Sequence, residues 1–292
     1  MTVGIINVLK PPGMTSHDVV SFCRRVYGLK KVGHAGTLDP AAAGVLPVFI
    51  GQATRLIEFT ADADKTYRVE LTFGYATDSG DDTGEIIAAE PGCQPPPPEK
   101  TAALLATFIG AGAQTPPMHS AIKVGGRKLY DLARAGITVE RAPRPIFISD
   151  ITLLRADGPT LLFDVTCSKG TYIRSLCVDI GAKAGCPAVM SFLVRTRVGA
   201  FRLGDGKTLE EIAAAPEACL LPGDTALGHL PRAVLGVDEA RAFGHGQPVA
   251  APSGNDGSIA VYDTAGRLLG IARHEPTSAL LQPVKVLSPH AP

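Results

Sequence analysis

Residues 30 to 55 read KKVGHAGTLDPAAAGVLPVFIGQATR, where Gly33, Gly36, Gly44 and Gly51 are interleaved with Pro40 and Pro47 around a single carboxylate, Asp39. Such a backbone is rich in constrained turns. Pro40 confines the residue before it to extended conformations, so the Asp39 side chain is aimed rather than left on a flexible loop. One acid on a rigid loop has the form of an active site; an Asp-Pro pair that merely starts a turn is the competing reading. Other chemistries lack their usual supports. The six cysteines (Cys23, Cys93, Cys167, Cys177, Cys186, Cys219) include no C-x-x-C pair and have no histidine at ligand spacing, so they read as reduced core thiols, and no metal is expected. There is no H-E-x-x-H and no G-x-G-x-x-G, and the glycine-rich stretch near residue 33 lacks the Gly-Lys-Ser/Thr of a phosphate loop, so no cofactor is expected.

The elements that must hold this loop follow from period and punctuation. Val3, Ile5, Ile6 and Val8 predict a strand that Pro11, Pro12 and Gly13 stop. Thr15 and Ser16 can cap a helix with Val19, Cys23, Val26 and Tyr27 on one face and Gly28 at its end. KTYRVELTF, residues 65 to 73, alternates so that Tyr67, Val69, Leu71 and Phe73 share one face of a strand. Strands at 146 to 154 and 160 to 167 flank Asp157-Gly158-Pro159 as a hairpin, and helices fit 101 to 109, 127 to 135 and 172 to 184. A proline-rich loop spans 91 to 98, and a second irregular stretch spans about 216 to 231. The expected fold is α+β, a mixed, largely antiparallel sheet flanked by helices. The domains expected are a catalytic one over 1–230 and a small β-rich module over 231–292, with strands at 258 to 262, 267 to 273 and 283 to 287 and turns at Asn255-Asp256-Gly257 and Thr264-Ala265-Gly266.

The chain of 292 residues has 45% apolar content, and its 28 Lys and Arg balance 28 Asp and Glu, a globular composition. No apolar run approaches the ~20 residues that span a bilayer, and Lys10 with two prolines interrupts the start, so a cytoplasmic protein without a membrane segment is expected. The neutral total hides an uneven distribution. Residues 1 to 38 carry five basic residues and one acid, and residues 120 to 174 carry nine basic and five acidic, followed by Arg195, Arg197 and Arg202. Residues 58 to 99 carry ten acids and two bases, and residues 203 to 292 ten acids and six bases. A neutral protein with basic stretches can bind a polyanion through a local field.

Six separated blocks then resemble, in order, the TruB family of bacterial-type tRNA pseudouridine synthases: KPPGMTS (10–16), VGHAGTLDPAAAGVLPV (32–48), DKTYRVELTFGYATDSGDDTG (64–84), PPMHSAIKVGGRKLYDLARAG (116–136), CSKGTYIRSLCVDIGAKAGC (167–186) and LVRTRVGAF (193–201). The resemblance covers about residues 3 to 205, and the last 60 residues are similar to the family's PUA-type RNA-binding module in shape and position more than in motif. It implies the pseudouridine synthase fold and isomerisation of the T-loop uridine at position 55 of tRNA. The bond from uracil N1 to ribose C1′ breaks, the base turns, and C5 joins C1′.

The resemblance also implies roles. Asp39 would attack C1′ or otherwise assist departure of the base. Arg174 would pair with Asp39 and keep it ionised, and Tyr67 would stack on the uracil and help remove the C5 proton. His34 would contact the nucleotide leaving the T-loop stack, while Tyr172 and Leu193 would line the uracil pocket. Lys10, Lys123, Arg127, Lys128 and Lys169 are candidate phosphate or pocket-supporting contacts. The segment at about 110–145, with Gly125-Gly126, Met118, Leu129 and Tyr130, resembles the insertion that closes over the T-arm after base flipping. No cofactor, metal or protein partner is implied, and a monomer is expected. An RNA-binding or tRNA-folding protein of this fold without turnover is the alternative, and a glycosidase acting on free sugars would need a second acid and would leave the basic stretches unexplained.

Overall fold

The computed structural model describes residues 2–93, 95–120, 122–251, 257–275 and 279–287. In chain order these form β1 (Gly4–Lys10), α1 (Ser16–Tyr27), β2 (Val32–His34), β3 (Ala43–Ile50), α2 (Ile57–Ala61) and β4 (Lys65–Phe73). A hairpin of β5 (Tyr75–Thr77) and β6 (Ile86–Ala89) leads to α3 (Pro98–Ala106), β7 (Gly110–Gln114), a tight hairpin of β8 (Lys123–Val124) and β9 (Arg127–Lys128), and α4 (Leu129–Arg134). Next come β10 (Arg144–Asp157), β11 (Thr160–Cys167), α5 (Ile173–Ala184), β12 (Ala188–Val198), β13 (Phe201–Arg202) and α6 (Leu209–Ala214). The chain continues through β14 (Arg232–Leu235), α7 (Val237–Gly244), β15 (Val249–Ala250), β16 (Gly257–Asp263), β17 (Leu268–Glu275) and β18 (Leu280–Val286). Among the described residues no helix is long and apolar enough to cross a membrane.

The chain divides into two compact units. The first takes residues 1–40, 44–62 and 199–292. In it β1 runs antiparallel to β3 from Gly4 opposite Ile50 to Lys10 opposite Gly44, and β2 pairs with the end of β3. α1 closes over them: Thr15 caps it, its hydroxyl accepting the Asp18 N–H while the Asp18 carboxylate accepts the Thr15 N–H, and Gly28 ends it at φ 63. Val19, Val20 and Cys23 pack on Ile6, Val8, Leu46, Val48 and Ile50. The same unit contains a five-stranded sheet, β14-β16-β17-β18-β15, with its own core of Leu235, Phe243, Val261, Ala272 and Leu281. β14 and β16 are parallel and the other pairs of that sheet are antiparallel, which makes the overall architecture mixed.

The second unit takes residues 41–43 and 63–198. Its sheet runs β12-β4-β11-β10-β7 with every pair antiparallel. β4 alternates as its sequence predicts: Tyr67, Val69, Leu71 and Phe73 are buried, and Lys65 is buried with them. α5 ends at Gly185, φ 73, and turns into β12 so closely that a Cβ on Gly181 would lie 2.7 Å from the Cys186 carbonyl oxygen.

Several expectations need correction. The helix expected at 101 to 109 starts at Pro98, because proline at the first helical position gives up an N–H that the helix does not use. The helix expected at 127 to 135 starts at Leu129, since Arg127 and Lys128 pair back on Val124 and Lys123 across Gly125-Gly126, both at positive φ. The Asn255-Asp256 part of the expected turn lies outside the described residues. The cysteines are not all reduced: Cys93 and Cys186 form a disulfide with Cα atoms 6.1 Å apart, while Cys23, Cys167, Cys177 and Cys219 are free and buried. Linear spacing carries no sign of that pair, which the fold assembles from positions 93 residues apart.

Candidate active site

In the first unit the Asp39 loop is pinned on both sides. Ser16, the first residue of α1, is 2% exposed; its Oγ accepts the Leu38 N–H at 2.9 Å and donates to the Leu38 carbonyl at 3.1 Å. Two residues on, the Pro40 carbonyl accepts the Gly13 N–H at 2.8 Å and Lys10 Nζ at 3.1 Å. Lys10 is buried, and its ammonium also donates to the Pro11 carbonyl, so it supports this loop from inside rather than standing in solvent as a phosphate contact. Gly36, Gly44 and Gly51 take φ of 88°, 107° and 61°, the unusual turns that the loop composition predicts. His34 lies on β2, half-buried, in register with Val48. Asp39 is half-buried at the tip of this frame.

The second unit holds the remaining candidates. Tyr67 of β4 is buried and stands opposite Arg195 of β12. Arg195 is 0% exposed, the largest fully buried side chain among the described residues. Burial pushes its pKa down, and the charge and hydrogen bond that it shares with Tyr67 oppose that shift. Arg195 is therefore not part of a basic surface with Arg197 and Arg202, as its charge alone predicts; Arg197 is half-buried with Nε on Thr66 Oγ1 at 3.1 Å, and Arg202 is exposed. Leu193, two residues before Arg195, is buried opposite Val69. Tyr172, just ahead of α5, has its backbone held by the buried Gln114 side chain, which donates to its carbonyl at 3.1 Å and accepts its N–H at 2.8 Å.

Arg174, on the first turn of α5, is 6% exposed instead of lying on the surface. Its guanidinium donates to the carbonyls of Ser79 at 3.0 Å and His119 at 2.7 Å, and its Nε lies 3.6 Å from the Asp81 carboxylate. Asp81 also accepts Ser79 Oγ at 2.7 Å, Thr83 Oγ1 at 2.6 Å and the Thr83 N–H at 3.1 Å. Burial pushes the Asp81 pKa up, but these hydrogen bonds and the Arg174 charge outweigh it, so the carboxyl is held below its ordinary value. Arg174 thereby joins the 77–84 turn, α5 and the 116–136 segment. The Asp81 turn also requires Gly84, where a Cβ would lie 2.4 Å from Asp78 Oδ1. Nothing in the DSGDDTG block itself gives Asp81 a partner, and no sequence signal assigns Ser16, Gln114 or Arg195 a role at the site.

The peripheral cations lie where a polyanion can reach them. Lys169 is exposed on the turn before α5, and Lys123 and Arg127 are exposed on the β8–β9 hairpin. The Lys128 side chain is outside the described set. Leu129, which directly follows the hairpin, is buried, and Arg134 stacks over the Tyr130 ring at 5.7 Å. Asp39, His34 and Lys10 belong to the first unit; Tyr67, Tyr172, Arg174, Leu193 and Lys169 belong to the second. Among the described residues no three His, Cys, Asp or Glu side chains cluster as metal ligands.

Comparison with known proteins places the chain in a family. Residues 24–173 match the TruB family pseudouridylate synthase (N terminal domain), residues 174–240 the tRNA pseudouridylate synthase B C-terminal domain, and residues 231–287 the Pseudouridine synthase II TruB, C-terminal family. A protein of Moorella thermoacetica named tRNA pseudouridine synthase B is 46% identical over 98% of this chain and 100% of its own length. The protein of that name from Symbiobacterium thermophilum is 51% identical over 83% of this chain and 82% of its own. In the solved crystal structure of a Cbf5-Nop10-Gar1 complex, one chain superposes with a TM-score of 0.78 at 28% identity, over 98% of this chain and 85% of that one. The fold is that of a pseudouridine synthase, an isomerase that forms pseudouridine from uridine. The chain belongs to the TruB family of these enzymes.

Proposed function

We propose that this enzyme isomerises uridine to pseudouridine in tRNA, at position 55 of the T-loop, with Asp39 as its essential carboxylate. The observation that carries the reading is the Asp39 loop itself, in which the backbone on either side of one carboxylate is tied down by Ser16, Gly13 and Lys10. An enzyme that must bring an acid to a sugar carbon gains rate from such fixed placement. In this reading the uridine is flipped out of the stacked loop, Asp39 attacks C1′ or otherwise assists cleavage of the bond to N1, and the base turns within the closed site before C5 bonds to C1′. Tyr67 stacks on the uracil and helps remove the C5 proton, and Arg174 supports the charge of Asp39. Tyr172 and Leu193 line the base, His34 contacts the departing nucleotide, Lys10 holds the loop from within, and Lys169 meets phosphate. Residues 110–145 grip the T-arm.

The finer assignments belong to the same proposal: a catalytic domain over 1–230, a PUA-like module over 231–292, a monomer in the cytoplasm needing no protein partner, and chemistry without cofactor or metal. Pseudouridine mapping by chemical labelling and primer extension on an unmodified tRNA transcript tests it. A single new stop in the T-loop is the expected result, and a stop elsewhere overturns the assignment.

A further inference from the structure

Ser16 lies in KPPGMTS, well away from Asp39 in sequence, and its hydroxyl makes two bonds to one residue, Leu38. It accepts the Leu38 N–H at 2.9 Å and donates to the Leu38 carbonyl at 3.1 Å. That carbonyl belongs to the peptide from which Asp39 springs. On the other side of Asp39 the Pro40 carbonyl is held, by the Gly13 N–H at 2.8 Å and Lys10 Nζ at 3.1 Å. Between these two fixed points the chain has little freedom: the Pro40 ring fixes its own φ, and its presence restricts ψ of Asp39.

Ser16 is itself held. It is the first residue of α1, and the preceding Thr15 forms the reciprocal cap with Asp18 that sets the start of the helix. The helix is anchored in turn through Val19, Val20 and Cys23 in the core of its unit. The path from core to helix start, hydroxyl, Leu38 peptide and Asp39 is continuous, and both Ser16 and Leu38 are nearly fully buried. Water does not compete for these bonds, and a hydroxyl at position 16 both donates and accepts through a single oxygen atom, as the two bonds to Leu38 require.

We propose that Ser16 is a positioning residue for the reaction: through the Leu38 peptide it sets the direction in which Asp39 presents its carboxylate. The inference rests on the assignment of Asp39 as the essential carboxylate. Lost placement at a reacting carboxylate costs rate more than affinity, because the bulk of the RNA interface is unaffected.

The test uses the full chain with unmodified tRNA transcript and compares wild type, Ser16→Ala, Ser16→Thr and Asp39→Asn. Three quantities are measured: the single-turnover rate at saturating enzyme, the Kd for tRNA, and the folded fraction from thermal melting. Ser16→Ala should slow the single-turnover rate per folded molecule by roughly 10- to 100-fold with Kd unchanged. Ser16→Thr, which keeps the hydroxyl, should recover most of the rate. A Ser16→Ala enzyme that turns over at the wild-type rate overturns the proposal, as does a loss matched by an equal loss of folded protein, or a Ser16→Thr enzyme as slow as Ser16→Ala. Asp39→Asn separates the two layers: if it stays active the assignment of Asp39 fails, whereas an inactive Asp39→Asn beside a fully active Ser16→Ala removes Ser16 alone.

Discussion

Tyr67 and Arg195 face each other across β4 and β12, and the guanidinium that meets the phenol is shut off from solvent entirely. Replacing the guanidinium alone leaves the buried phenol without the partner that holds it, which costs on the order of 1 to 3 kcal/mol. Arg195→Met should therefore fold but melt several degrees below wild type. If Tyr67 handles the C5 proton, the single-turnover rate falls by roughly 100-fold, within the range general acid–base groups supply. Melting curves and single-turnover kinetics on one preparation check both halves. A normal rate in a folded Arg195→Met enzyme would detach Arg195 from the chemistry.

Asp39→Asn is nearly isosteric and leaves in place the bonds that Ser16, Gly13 and Lys10 make to the backbone of Leu38 and Pro40. Folding and tRNA affinity should be those of wild type. The single-turnover rate should fall by at least about 100-fold because the anion is gone. A variant keeping a tenth of the rate contradicts an essential carboxylate.

Asp81 supplies a pH dependence whose direction can be worked out. Its folded-state pKa is held below the ordinary value, so its contribution to stability is complete above the unfolded-state value of about 4 and is lost as pH falls through the folded value. Asp81→Asn removes the charge facing the buried Arg174 and should cost on the order of 2 to 3 kcal/mol at neutral pH. The gap between wild type and variant should stay constant from pH 7 to about 5 and narrow below about 4. Urea melts across that range measure it. A gap that widens in acid would mean the carboxyl is protonated in the folded protein.

Much of the frame was legible because local signals and burial agree. Thr15 and Gly28 bracket α1 as their types require, and β4 buries alternate residues along KTYRVELTF. Glycines and prolines of the 30–55 segment announced a constrained loop around Asp39. What escaped were polar side chains buried by long-range pairing. Arg195 counted as surface charge because only the register of β12 against β4 takes it inside, and that register includes two bulges that a linear pattern does not reveal. Asp81 was one acid in an acidic run until the fold set Arg174 beside it. Ser16 read as part of a cap, since nothing in KPPGMTS states that Leu38 will arrive at its hydroxyl.

Removing the chain after about Leu230 tests whether chemistry and RNA affinity are divided as proposed. β14 to β18 form one sheet with its own apolar core, so their loss need not open the cluster in which α1 packs on β1 and β3. The cut does remove Lys285, which pairs with Glu58 of α2 at 2.8 Å; Glu58 is largely exposed, and such a pair contributes little. Every side chain assigned to chemistry lies before the cut. The shortened enzyme should then convert saturating tRNA at the wild-type single-turnover rate. Its affinity should fall by about 1 to 2 kcal/mol, because a module with more acids than bases offers only a few phosphate or polar contacts. An isolated T-arm hairpin should lose less than full tRNA if the module reaches beyond the T-arm. Kd and single-turnover rate for both substrates with both proteins measure this. Equal affinity losses on hairpin and tRNA would confine the module to the T-arm, and a fall in the saturated rate would place part of the catalytic machinery beyond residue 230.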